Sequence, residues 1–313
     1  LLGQTMEILN EPIVTAWVLE HPAHFQLLAP FIRNGTEDDL LIITTRIECL
    51  NMFKHSEKYL PKREVIFVER PFGIKKNKLK ILISIIKRKN KVKNVLKVRQ
   101  KTNPIQRIIV MGASLELLSA KAAKIPQRIY ISDTEIHHLA HRLALKSATD
   151  VILPNYWRQD LDNNFLKKCL NKKINIIRHK KIHAEMRDYS KKVSSNNKIM
   201  ARCLKGGGSH DKNEVMPIAE ILKLIKKDID FFNEDVEHKN PWKFCDIISN
   251  YSAVITQSTT FAAEASIQNI PTLLISKAER GFLTELTSRK LPLIQCKSLT
   301  RLNEKMKLWN DLR

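Results

Sequence analysis

The chain is poor in glycine, with eight in 313 residues and no GxGxxG or GxxxxGK[ST] pattern anywhere. That removes the tight turns by which ordinary dinucleotide-binding and P-loop sites bring backbone onto phosphate. Cysteine is sparse as well. The five present, Cys49, Cys169, Cys203, Cys245 and Cys296, are odd in number, far apart and without a CxxC or Cys/His ligand spacing. A disulfide framework and a zinc ribbon are thereby excluded, and reduced, mostly buried thiols are expected. No apolar run reaches the roughly 18 residues that span a bilayer. The opening LLGQTMEILNEPIVTAWVL shows neither the basic region nor the cleavage site of a secretory signal. The expectation is a cytoplasmic protein, neither secreted nor integral to a membrane.

Acid is missing from two segments. Residues 74–101 contain twelve Lys or Arg and no Asp or Glu, and residues 165–183 contain seven more with no acid. These two segments carry most of the formal net charge of +22. Such a surplus calls for a polyanion: nucleic acid, an anionic membrane surface or a phosphorylated substrate. The longer tract has no aromatic residue between Lys75 and Lys101, which weakens nucleic acid, because base stacking needs one. Its apolar positions, Leu79, Leu82, Ile86, Val92, Val95 and Leu96, predict a helix lying against a sheet with Lys and Arg outward. Lys87, Arg88, Lys89 and Lys91 are then the side chains that would face an anionic membrane in a peripheral attachment, a merely solvated basic face being the plain alternative.

What the chain does contain is a regular alternation. Hydrophobic residues make up 43% and charged residues 27%, so the whole length has the composition of a folded protein. Short β-branched runs at 13–19, 40–45, 64–68, 106–111, 128–132, 150–154 and 174–177 alternate with helical patterns, and a second series follows at 198–203, 229–232, 251–256, 271–275 and 291–295. Strand and helix in strict alternation predict parallel sheets. The length suits two α/β domains, 1–180 and 181–313, each a Rossmann-like doubly wound parallel sheet, joined near 178–195 where strand character is lost. Ligands of such sheets lie beyond the carboxyl ends of the strands, so two of them are expected to place their loops around a common cleft.

The residues just after strands therefore bear the chemistry. Glu20-His21-Pro22-Ala23-His24 follows the first strand, and an imidazole can take or give a proton near neutral pH or bind phosphate. A histidine at a helix start also makes local hydrogen bonds. Ser132-Asp133-Thr134-Glu135-Ile136-His137-His138 follows the fifth strand, where Asp133 and Glu135 can serve as base, acid or hydroxyl anchor, while Asp133 or Thr134 can equally cap a helix. His137 and His141 share a helix face, but without a second ligand motif no metal is assigned. Gly206, Gly207 and Gly208 follow a strand and read either as a mobile loop or as a phosphate-contacting nest. Most informative is TQSTTFAAEASIQNIPTLLI, residues 256–275: a strand ends in Ser258, Thr259 and Thr260, which open a helix whose exposed amides suit a pyrophosphate. Glu264 lies one turn on in an otherwise apolar helix and needs a partner, for which a ribose diol is expected ahead of the plain alternative, an ion pair with Arg or Lys.

The EHPAHFQLLAPFIR start, ISDTE with the following LPNYW, IHAEMRDY, ARCLKGGGSHD and VITQSTTFAAEASIQNIPTLLI, in this order and spacing, resemble the glycosyltransferase-like family known as domain of unknown function 354, related to hydrolysing UDP-N-acetylglucosamine 2-epimerases. The resemblance extends over nearly the whole chain. It implies the glycosyltransferase B-type fold and a nucleotide-diphosphate sugar as ligand, with Arg202, Ser258, Thr259 and Glu264 on the nucleotide-sugar side, which the local reading of the residues extends to Gly207, Gly208 and Thr260. It puts His21, His24, Asp133 and Glu135 at the reacting sugar. Where the family is glycine-rich before the last nucleotide helix, this chain reads Gln257-Ser258-Thr259-Thr260. Three functions are expected in order: glycosyl transfer, 2-epimerisation of a sugar nucleotide, and, from another class, nucleic-acid binding. No cofactor is expected beyond the nucleotide-sugar substrate.

Overall fold

A computed structural model of the chain describes residues 7–69, 78–112, 115–187, 197–203, 229–233 and 241–312. The chain divides into two compact units, Leu1–Lys180 and Lys181–Arg313.

Unit 1 contains β1 (Thr15–Leu19), β2 (Leu40–Thr44), β3 (Glu64–Val68), β4 (Arg107–Met111), β5 (Gln127–Ile131), β6 (Asp150–Pro154) and β7 (Asn175–His179). They form one sheet in the order β3-β2-β1-β4-β5-β6-β7 with every pairing parallel. All residues of β1, β2, β4 and β6 are buried, the signature of strands covered by helices on both faces. The interleaved helices are α1 (Glu7–Asn10), α2 (Pro22–Arg33), α3 (Ile47–Lys54), α4 (Lys78–Thr102), α5 (Leu115–Ala122), α6 (His138–Ala144) and α7 (Phe165–Asn171). The entry to β1 is fixed by fully buried Asp39, whose carboxylate accepts from the Thr15 amide and the Trp17 indole, both at 2.9 Å.

Unit 2 contains β8 (Ile199–Cys203), β9 (Ile229–Asn233), β10 (Ala253–Thr256), β11 (Thr272–Ile275) and β12 (Leu293–Cys296), again all parallel, in the order β12-β11-β10-β8-β9. Its described helices are α8 (Phe244–Ile248), α9 (Thr259–Ile267), α10 (Gly281–Ser288) and α11 (Leu302–Asp311). The expected architecture of two parallel α/β sheets is the one observed.

The basic helix α4 departs from the expectation. Val92 and Leu96 are buried and Val95 is half-buried, but Leu79, Leu82 and Ile86 are 62%, 52% and 48% exposed. Arg88 is the opposite case: it is buried, paired with Glu116 at 2.7 Å and with Glu20, and it donates to the Glu69 carbonyl at 3.1 Å. The physical reason is the partner. The helix packs on α5, which presents buried Glu116, so the inward face must bring a cation at position 88. Arg88 is thereby removed from the anion-facing set, whereas Lys87 and Lys91 are exposed and Lys89 is half-exposed.

Candidate functional site

In unit 1 the strand order reverses between β1 and β4: β2 and β3 lie on one side of β1, β4 and its successors on the other. Loops leaving neighbouring strands to opposite sides open a crevice there. His24, in the first turn of α2 after β1, stands at this point. Its Nδ1 accepts from the Glu20 amide at 3.2 Å, so the proton of the neutral ring is on Nε2. Gly112, directly after β4, has φ of +64°, and a Cβ built on it would stand 3.8 Å from His24 Nε2 and 4.0 Å from His137 Nδ1. Glycine thus supplies both the left-handed turn and the space onto which the two imidazoles converge.

Burial lowers the His24 pKa to about 4, with Asp133 opposing and His137 and Arg46 adding to the fall. At neutral pH the ring is an uncharged N–H donor, and among the charges that act on it Asp133 favours the protonated form. His21 serves α2 locally: its Nδ1 accepts from the Ala23 amide at 3.2 Å as the helix N-cap, with Pro22 in the first turn. Glu135 is buried and accepts from the Arg158 amide at 3.0 Å, fastening the loop after β6. His137 and His141 part company despite sharing a helix face. His141 is buried, its Nε2 3.1 Å from Ser132 Oγ and its ring stacked 4.2 Å from Phe165. Burial, then His137 and His138, push it down to about 3.

In unit 2 the order reverses between β8 and β10. Arg202, near the end of β8, holds its guanidinium 4.9 Å from the Phe261 ring centroid, and its carbonyl accepts from Thr256 Oγ1 at 3.1 Å and the Gln257 amide at 3.3 Å. Ser258 caps α9, its Oγ accepting from the Phe261 amide at 3.4 Å. Half-buried Thr259 and Thr260 form the first turn, where amides have no intrahelical partner. This start places a guanidinium, two hydroxyls and a helix N-terminus at one switch point, an arrangement that can receive a phosphate. Glu264 is buried in α9, and its carboxylate is ion-paired with Arg187. Gly207 and Gly208 lie outside the described residues.

Gly112, Arg46 and Arg187 were not singled out from sequence. Gly112 carried a signal, a lone glycine directly after a β-branched strand in a glycine-poor chain. Arg187 stands inside IHAEMRDY. That segment forms the short 3-10 turn His183–Met186, held by Glu185 Oε2 accepting from the Ile182 amide at 2.6 Å and Glu185 pairing with Arg289 at 2.8 Å.

Among solved structures, the UDP-GlcNAc 2-epimerase from Methanocaldococcus jannaschii is similar at a TM-score of 0.58 and 14% identity, over 94% of this chain and 92% of that one. It shares the fold of these enzymes. The UDP-GlcNAc 2-epimerase from Neisseria meningitidis, solved bound to UDP-GlcNAc, gives 0.56 and 12% over 96% and 94%. The glycotransferase of kitacinnamycin gives 0.51 and 10% over 96% and 91%. No protein-family model and no curated protein sequence matches the chain, so the likeness stands on the fold. Among the described residues no group of three or more His, Cys, Asp or Glu could hold a metal ion, and no helix is long and apolar enough to cross a membrane.

Proposed function

We propose that the protein is a glycosyltransferase acting on a nucleotide-diphosphate sugar. The residues assigned to the diphosphate are Arg202, Ser258, Thr259 and Thr260 at the start of α9; the base assigned is Asp133, and the neutral hydrogen-bond donor is His24. Asp133 takes the proton of the acceptor hydroxyl. The oxygen forms the new bond to the anomeric carbon as the bond from that carbon to the diphosphate oxygen breaks, and its electron pair leaves with the nucleoside diphosphate. The α9 amides and Arg202 receive the charge that develops there. His24 orients a sugar or acceptor hydroxyl through Nε2–H.

The observation that carries transfer over epimerisation is the division of labour between the two carboxylates after β5. Removing and returning a proton at the second sugar carbon calls for carboxylates at the reacting centre, and of the two after β5 Glu135 is buried and accepts from the Arg158 amide, which leaves Asp133 for the base. The 2-epimerases among the structural relatives favour the second reading, 2-epimerisation, and the two separate by product.

The test begins with thermal shift against uridine, guanosine and cytidine diphosphate sugars, where a ligand at 100 times its Kd stabilises by about 2.7 kcal/mol. Asp133→Asn should then lower turnover by roughly 10²- to 10⁴-fold with the ligand shift retained. A sugar nucleotide that returns inverted at its second carbon, with no acceptor consumed, would overturn transfer.

A further inference from the structure

The first half of α4 displays two faces that its sequence did not separate. At about 100° per residue, Ile81, Ile85, Arg88 and Val92 fall on one side, and Leu79, Leu82, Ile83 and Ile86 within a sector of about 100° opposite Arg88. The second group is 62%, 52%, 43% and 48% exposed. An i, i+3, i+4, i+7 stripe of four aliphatic residues is the pattern of a buried helix face, yet here it looks outward. Lysines border it on both margins: Lys80, Lys87 and Lys91 are exposed along one, and Lys89 is half-exposed along the other. Long lysine stems beside an apolar strip can lie along it and hold their ammonium groups at the level of lipid phosphates.

We propose that this face docks on an anionic lipid bilayer, with Leu79, Leu82, Ile83 and Ile86 entering the acyl boundary and the bordering lysines engaging the headgroups. Charge selects the occupant. There is no acid in residues 74–101, so a second copy of the helix would bring like charge against like. Nucleic acid has no use for an aliphatic strip, and the aromatics that would stack bases are missing. Arg88, on the opposite side, anchors the helix to Glu20 and Glu116 and lets the stripe stand clear.

Sedimentation with vesicles of phosphatidylcholine alone, or mixed with phosphatidylglycerol, decides it. The protein should bind the mixed vesicles, ignore the neutral ones, and release at 1 M salt, where the Debye length is about 3 Å. Two variants act on exposed or half-exposed side chains and should keep the wild-type melting curve: Leu82→Ser with Ile86→Ser, and Lys87→Gln with Lys89→Gln and Lys91→Gln. Each should lower partitioning at least tenfold. Undiminished binding by the Leu82/Ile86 variant would mean adsorption by charge alone and overturn the proposal. So would equal binding to neutral vesicles, no vesicle binding, micromolar binding to single-stranded nucleic acid in place of vesicles, or self-association that the Leu82/Ile86 variant abolishes.

Discussion

Arg187 and Glu264, 77 residues apart in the chain, form a buried ion pair that ties the turn at the start of unit 2 to the middle of α9. Both side chains are about 5% exposed or less, so neither charge has water to fall back on.

Glu264→Gln should therefore destabilise unit 2 by up to about 3 kcal/mol, because it takes the compensating charge away from a buried guanidinium. Arg187→Met combined with Glu264→Leu should recover much of that loss. Urea melts of the single and double variants measure it. A Glu264→Gln protein of unchanged stability that has lost nucleotide-sugar binding would return the carboxylate to the ribose.

Neighbouring cations of α4 should behave in opposite ways. Arg88→Gln leaves Glu116 buried and unpaired and should lose about 3 kcal/mol, whereas exposed Lys87→Gln should stay within about 0.5 kcal/mol of wild type. Thermal unfolding of the two proteins side by side is sufficient.

Gly112→Ala meets no severe clash, since its Cβ would lie at 3.8 Å and 4.0 Å from the two imidazoles, but it forces alanine to φ of +64°. The expected loss is about 1 kcal/mol of stability. The methyl group also fills the space that His24 and His137 share, so turnover should fall further than stability. Equal turnover in the variant would remove this crevice from the reaction.

His24 and His141 are both held neutral in the folded chain, at about 4 and about 3 against 6.5 unfolded. Between those values and 6.5 the unfolded chain binds more protons than the folded one, so stability rises with pH across that window and is lost on acidification from pH 6.5 toward 4. His141→Gln should flatten the slope of melting temperature between pH 6.5 and 4. A slope identical to wild type would show that His141 is not held neutral.

Parallel strands write themselves plainly into sequence because both faces are covered: TAWVL, LLIIT, RIIVM and DVILP are buried at every residue, and each was legible as a short, mostly apolar run. The helix start at Ser258 was legible for a related reason, since a hydroxyl at the N-cap meets a local need of the backbone. For Glu264 the sequence pointed to a ribose ahead of a cation, and the structure pairs it with Arg187, because burial of a carboxylate in an apolar helix demands a partner without naming it.

Residue order alone set the strands, the alternation that makes the sheets parallel, the caps and the position of the charged tract, all of which depend on neighbours within a few residues. Tertiary structure alone decided which way α4 faces. Apolar residues occur all around that helix, so its periodicity offers two candidate inner faces, and the choice falls to a buried carboxylate, Glu116, 28 residues away from Arg88. A charge that must be neutralised out of water selects the face that brings Arg88 inward, and Leu79, Leu82, Ile83 and Ile86 are left outside by the geometry of the same helix.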